Sequence, residues 1–231
     1  MAELIVALDV SSAAAAEHVI DQLGDAVSFY KIGLELFSAE GPDLVRAVKG
    51  RGKRVFLDLK LHDIPRTVER AVKSGAALGV DLMTVHAAGG KAMLGAARAA
   101  ADSCGADAPK ILAVTMLTSL DQSDLVDLGI NREMKAQVAA LGLMACANGA
   151  DGIVCSPQEV ADMRAALGPG TLLVTPGVRP AGAGLGDQKR AATPAQAVRD
   201  GSTHLVVGRP ILEAADPAAA ARAITAEMLN G

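Results

Sequence analysis

Between Val55 and Thr67 the chain reads Val-Phe-Leu-Asp-Leu-Lys-Leu-His-Asp-Ile-Pro-Arg-Thr, which sets Asp58, Lys60 and Asp63 among apolar residues that otherwise belong to a core. Charges in such a place need a reason. If residues 55–60 form a strand, alternation sends Asp58 and Lys60 to one face and Leu57 and Leu59 to the other, so a carboxylate and an ammonium become neighbours. Asp63 follows just past the strand end. An Asp-x-Lys pair of this kind is either an ordinary salt bridge or part of a charged site, and the rest of the chain decides between them.

Short apolar runs alternate with segments of helical period along the whole sequence. Strands are expected at residues 4–9, 28–33, 55–60, 82–86, 110–116, 152–155, 172–175 and 204–207. Helical faces lie between them. They are marked by Val19 and Leu23, by Leu44, Val45 and Val48, by a helix that Pro65 opens and that ends near Gly79, and by Met93, Leu94 and Ala97. A longer polar connection through Asp127 leads to a helix with Met134, Val138, Leu141 and Ala145 on one face, and Ile224 and Met228 face inward on the last helix. Ser156-Pro157-Gln158-Glu159 and Thr193-Pro194-Ala195-Gln196 read as capping boxes, and Asp216-Pro217 opens the final helix. The strands are continuous apolar runs rather than alternating ones, which indicates an all-parallel sheet covered by helices. A count of eight units in 231 residues favours an α/β fold of the closed (β/α)8 TIM-barrel type over an open doubly wound sheet, as a single domain over residues 1–231. Residues 177–190, rich in Gly and Pro, are expected to form a lid after the seventh strand.

Composition narrows the function. A hydrophobic fraction of 51% with only 2% aromatics means that Ala, Val, Leu and Ile fill the core, which suits small helices packed closely on a sheet. The formal charge is −4 and no Lys/Arg cluster is interleaved with aromatics, so the footprint of a nucleic-acid binder is missing, while a small anionic ligand stays open. No apolar run reaches membrane-spanning length, and Met1-Ala2-Glu3 carries no basic leader region. Cys104, Cys146 and Cys155 are odd in number and lack Cys-x-x-Cys spacing, which argues against a disulfide framework and a structural zinc site. A cytoplasmic protein is expected.

In a barrel the strand ends that precede the helices form the active face. Those ends carry Asp9, Lys31, Asp58 with Lys60, His86, Thr118 with Ser119, Ser156, Pro176 with Gly177, and Gly208 with Arg209. Each has a bland reading: Asp9 as a cap for the helix after Ser11, Lys31 snorkelling, Ser156 as a cap, His86 as a satisfied core histidine, Asp63 as the N-cap of its helix. Asp, Lys, Asp and Lys on three successive strand ends are harder to explain as separate accidents.

Residues 58–67, Asp-Leu-Lys-Leu-His-Asp-Ile-Pro-Arg-Thr, resemble the Asp-x-Lys-x-x-Asp-Ile-Pro-x-Thr signature of the orotidine 5′-phosphate decarboxylase family. Val6-Ala7-Leu8-Asp9, Tyr30-Lys31-Ile32-Gly33, Leu117-Thr118-Ser119, Thr175-Pro176-Gly177-Val178-Arg179, Gly186-Asp187-Gln188 and Val207-Gly208-Arg209-Pro210-Ile211 are similar to its bacterial form, in the same order over essentially the whole chain. The resemblance implies conversion of orotidine 5′-monophosphate to UMP without metal or cofactor. It further implies that Lys60 protonates C6, that Asp58 crowds the departing carboxylate, and that Lys31, Asp58, Lys60 and Asp63 alternate in a charged array. Asp63 and Thr67 would reach into the neighbouring subunit's site, so a homodimer is implied. Asp9 with Lys31 would hold the ribose, Thr118 and Ser119 would face the pyrimidine, and Gly208, Arg209, Arg179 and Gln188 would bind the phosphate.

Two other readings use the same residues. A keto-sugar-phosphate lyase or decarboxylase of the same superfamily would work through a metal-bound enediolate, but such relatives carry a carboxylate ligand where this chain has Lys31 and do not need Gln188. A non-catalytic barrel that binds a nucleotide or phosphate would make Asp58 and Lys60 a simple ion pair. Such a module gains nothing from neighbouring like-charged carboxylates.

Overall fold

A computed structural model describes residues 2–180 and 192–230. Eight parallel strands close on themselves in chain order: β1 (Glu3–Ala7), β2 (Phe29–Gly33), β3 (Arg54–Leu61), β4 (Leu82–His86), β5 (Lys110–Val114), β6 (Gly152–Val154), β7 (Leu172–Pro176) and β8 (His204–Val207). Pairing of β1 with β8, from Glu3↔His204 to Val6↔Val207, completes the circle. Among the described residues the helices are α1 (Ala13–Leu23), α2 (Leu34–Gly50), α3 (Pro65–Ala76), α4 (Gly90–Asp102), α5 (Gln122–Asp127), α6 (Met134–Ala147), α7 (Val160–Leu167), α8 (Pro194–Arg199), α9 (Arg209–Leu212) and α10 (Pro217–Leu229). None is long and apolar enough to cross a membrane.

Strand alternation divides the core in two. Ile5, Ala7, Phe29, Phe56, Leu82, Leu112, Val174 and Val206 fill the barrel interior, whereas Tyr30, Leu57, Met83 and Ile111 point outward into the larger core beneath the helices. The aromatic-poor composition works because alanines lie at the contacts: Ala97, Ala100 and Ala101 of α4 are all buried. Two residues further along their strands, the interior positions above Phe29, Phe56 and Leu82 belong to Lys31, Asp58 and Thr84. The apolar floor therefore supports a polar layer at the barrel mouth.

Several boundaries differ from expectation. Strand β1 ends at Ala7 and β5 at Val114, so Asp9 and Met116 lie past their ladders. The polar connection after β5 holds the short helix α5, which Asp121 caps by accepting from Ser123 N at 3.0 Å. Ser12 rather than Asp9 caps α1. The turn after β6 begins as a 3₁₀ segment, where Glu159 accepts from Ser156 N at 2.8 Å. Thr193 and Asp216 cap α8 and α10, accepting from Gln196 N at 3.2 Å and Ala219 N at 2.8 Å, but the expected box at 193–196 is only half formed, because the Gln196 side chain turns to Asp200 and Arg199 instead of back to Thr193 N. Most of the expected lid, including Gly186, Asp187 and Gln188, lies outside the described residues. Its start is described: Gly177 turns with φ +80°, and Val178 bridges Ala192.

Candidate active site

The polar layer forms one connected chain of charge. Lys31 Nζ lies 3.0 Å from Asp9 Oδ1 and 3.9 Å from Asp58 Oδ2, and Lys60 Nζ lies 2.8 Å from the same Asp58 oxygen. Asp9, Lys31, Asp58 and Lys60 thus alternate across the ends of β1, β2 and β3. Asp58 is buried, Lys31 and Lys60 are partly buried, and Asp9 is exposed at the outer end. Two glycines leave room for this arrangement: a Cβ on Gly33 would come within 2.9 Å of Lys31 Nζ, and one on Gly208 within 3.2 Å of Asp9 Oδ2.

Lys60 reaches Asp58 despite a break in the ladder. Between Leu57↔Met83 and Leu61↔Val85, β3 advances four residues while β4 advances two. Within that bulge Lys60 has φ +52°, the one non-glycine residue in the left-handed region among those described. Such a conformation costs roughly 1–2 kcal/mol for an L-residue and marks a place where surrounding contacts over-determine the backbone. Thr84 supplies two of those contacts: its Oγ1 accepts from Lys60 N at 2.9 Å and donates to Asp58 Oδ1 at 2.9 Å.

The array faces a pocket of about 160 Å³ whose other walls include Phe56, Val114, Met116, Val154, Pro176 and Val206, with Thr118 at its edge. The pocket thus sets the Lys31 and Lys60 ammonium groups and the Asp58 carboxylate against apolar walls. The imidazole of His86, at the end of β4, lies with its centroid 5.3 Å from that of His62. Burial first, then the charges of His62 and Lys60, lower the His86 pKa from its ordinary 6.5, with Asp58 opposing.

Across the mouth, Arg179 is buried and donates through Nη1 to Val178 O at 2.9 Å. Its pKa is lowered by burial and then by the neighbouring charge of Arg209, with Glu213 opposing. Two guanidinium groups close enough to perturb one another make a place for an anion. Arg209 is exposed at the start of α9, directly after Gly208.

Asp63 and Thr67 stand apart from the rest. Both are exposed, and Asp63 Oδ1 accepts from Ile64 N at 2.6 Å. The N-cap of α3 is Ile64, so the bland reading of Asp63 as that cap does not hold. Of the residues singled out from the sequence, the fold brings together Asp9, Lys31, Asp58, Lys60 and Thr118, sets Arg179, Gly208 and Arg209 nearby, and leaves Asp63 and Thr67 outside. Thr84 was missed. Its one sequence sign is a hydroxyl within the otherwise apolar run Leu82-Met83-Thr84-Val85. Among the described residues no three His, Cys, Asp or Glu side chains form a group able to hold a metal ion.

Fold and site together define a (β/α)8-barrel enzyme whose active face alternates lysine and aspartate. The chain belongs to the orotidine 5′-phosphate decarboxylase / HUMPS family, whose model matches residues 2–224. It is 54% identical over 231 residues to the orotidine 5′-phosphate decarboxylase of Moorella thermoacetica, covering 98% of this chain and 92% of that protein. It is 56% identical over 223 residues to the enzyme of the same name from an Anaeromyxobacter species, covering 96% of each. The crystal structure of orotidine 5′-phosphate decarboxylase from Lactobacillus acidophilus matches with a TM-score of 0.88 at 40% identity, over 99% of both chains.

Proposed function

We propose that the protein decarboxylates orotidine 5′-monophosphate to UMP in pyrimidine biosynthesis. The observation that carries this reading, beside membership of the family, is the Lys60 ammonium held 2.8 Å from Asp58 at the wall of an apolar pocket. Loss of carbon dioxide from C6 leaves a carbanion in the plane of the pyrimidine, where no carbonyl is placed to delocalise it. A preorganised cation is then the principal source of stabilisation, and it is worth far more in a site closed to water than in solution. On this reading Lys60 stabilises the developing charge and then donates its proton to C6. Asp58 crowds the departing carboxylate, and Lys31 keeps the carboxylates of Asp9 and Asp58 paired while the substrate enters.

Asp9 and Lys31 take the ribose hydroxyls, Thr118 and Ser119 face the base, and Arg179, Arg209, the backbone at Gly208 and Gln188 take the phosphate. Binding energy from that remote phosphate holds the charged array dehydrated around the reacting carbon. The exposure of Asp63 and Thr67 supports a homodimer in which each chain lends both residues to its partner's site, so that Asp63 of the partner subunit completes the array. The reading needs no metal or cofactor. Cytoplasmic placement is part of the proposal, supported by cysteines that form no disulfide among the described residues.

Incubation with orotidine 5′-monophosphate tests the proposal through loss of orotate absorbance, with and without a chelator. Equal rates in both arms are expected. Loss of activity restored by magnesium would favour the keto-sugar-phosphate lyase, and binding without turnover would favour the non-catalytic barrel.

A further inference from the structure

We infer that Thr84 is a positioning residue for the Lys60–Asp58 pair, acting through a single hydroxyl that replaces a missing rung of the β3–β4 ladder. The inference rests on the decarboxylase reading for its kinetic consequence but on geometry for its origin. In a regular parallel pair the N–H of a β3 residue donates to a carbonyl of β4. The bulge between Leu57↔Met83 and Leu61↔Val85 removes that possibility where Lys60 lies, and Thr84 is the residue between the two β4 partners. Its hydroxyl has one hydrogen and two lone pairs, which suits it to accept from one group while donating to another. Oγ1 accepts from Lys60 N and donates to Asp58 Oδ1, both at 2.9 Å, and Thr84 is buried, so water is poorly placed to substitute.

One hydroxyl therefore ties the backbone of the proposed proton donor to the carboxylate that faces it. Asp58 is held at both oxygens, Oδ1 by Thr84 and Oδ2 by Lys60. The left-handed conformation of Lys60 is kept by the same bond, because nothing about a lysine favours φ +52°. Removing the hydroxyl leaves the Lys60 N–H and Asp58 Oδ1 each short of a partner. The cheapest relief is for Lys60 to leave the left-handed region, which re-aims its side chain.

The test compares Thr84→Val, which keeps the shape and loses the hydroxyl, with Thr84→Ser, which keeps the hydroxyl. Decarboxylation kinetics, UMP affinity and melting temperature are measured for each, and a crystal structure is determined for Thr84→Val. The expected result is a kcat for Thr84→Val lower on the order of 10- to 100-fold, since a displacement of roughly 1 Å in a reacting group costs that much. KM and UMP affinity should stay within about twofold of wild type, and Thr84→Ser should recover most of kcat. Wild-type kcat in Thr84→Val would overturn the inference. So would a serine variant as slow as the valine one, because the methyl and its packing would then be the cause. Should Thr84→Val fail to fold, Thr84→Ala takes its place in every measurement. A wild-type protein inactive on orotidine 5′-monophosphate would sink the functional reading instead. The crystal structure then decides the inference by itself: Lys60 still left-handed and still paired with Asp58 overturns it, and a displaced Lys60 upholds it.

Discussion

Lys60 stands beside a carboxylate at the edge of an apolar pocket, and the value of that placement depends on how much water the site excludes. Unit charges about 4 Å apart interact by roughly 1 kcal/mol in water and by roughly 4 kcal/mol at an effective dielectric of about 20. The side chain of Lys60 is 37% exposed in the single chain, so on the proposed mechanism a substrate that excludes water from the mouth would strengthen its interaction with the forming carbanion. Lys60→Ala removes the proposed cation and the proposed proton donor together. Turnover of orotidine 5′-monophosphate should fall on the order of 10³-fold or more, with the protein still folded. Near-normal kcat in that variant would remove Lys60 from the mechanism. That Asp58 and Lys60 are neighbours was legible in the sequence from strand period, although in the structure Lys60 reaches Asp58 from within a bulge and not by regular alternation. The bulge itself was not legible, since a lysine at positive φ leaves no mark such as a glycine or asparagine would.

At the level of elements, strand positions were readable because a strand covered on both faces is a run of apolar residues, but strand ends depend on neighbours. Strand β5 stops at Val114 where its partner β6, only Gly152–Val154, runs out, and the apolar Met116 continues past the ladder into the pocket wall. Helix α5 was missed because a six-residue helix is too short to display a period. The opposite, N-terminal end of the barrel has its own charged arrangement. His204 of β8 is buried against Phe29, with Nε2 3.8 Å from Glu3 Oε1 and Nδ1 2.9 Å from Thr203 Oγ1, and Arg54 stacks 4.0 Å over the Phe29 ring. Burial lowers the His204 pKa from 6.5, Glu3 opposes, and Arg54 lowers it further. A histidine kept neutral by the fold binds fewer protons than it does unfolded, so its contribution is complete above pH 6.5 and is lost as the pH falls toward the lower folded value. His86 is shifted in the same direction. Unfolding free energy should therefore decline from pH 7.5 to 5.5 at roughly constant ionic strength, and His204→Gln should reduce the slope without abolishing it, since His86 still titrates. Denaturant titrations at the two pH values check this, and an unchanged slope in the variant would dissociate His204 from the acid sensitivity.

For the whole molecule, the telling feature is how much of the β3–α3 connection is exposed. Ile64 is 68% exposed between the exposed Asp63 and Pro65, and Leu34, just past Gly33 at the same mouth, is 61% exposed. Large apolar side chains beside a charged site suggest a covered surface, and a second copy of the chain is the occupant that the decarboxylase reading calls for. On the decarboxylase reading Asp63 works in the neighbouring chain's site, and its exposure in the single chain is consistent with that role. Complementation distinguishes the two possibilities. Lys60→Ala and Asp63→Ala chains should each be inactive as homodimers if every site combines its own Lys60 with Asp63 of the partner subunit. In a mixed dimer one site lacks both residues and the other is intact. Random assortment of equal amounts makes about half the dimers mixed, so about a quarter of wild-type activity should return after co-refolding if the sites act independently. Should Asp63 serve only to hold the Ile64 N–H, its loss would cost roughly 1 kcal/mol of stability with no recovery on mixing. Mixed dimers confirmed by mass yet still inactive would place Asp63 in its own subunit's site or outside any site.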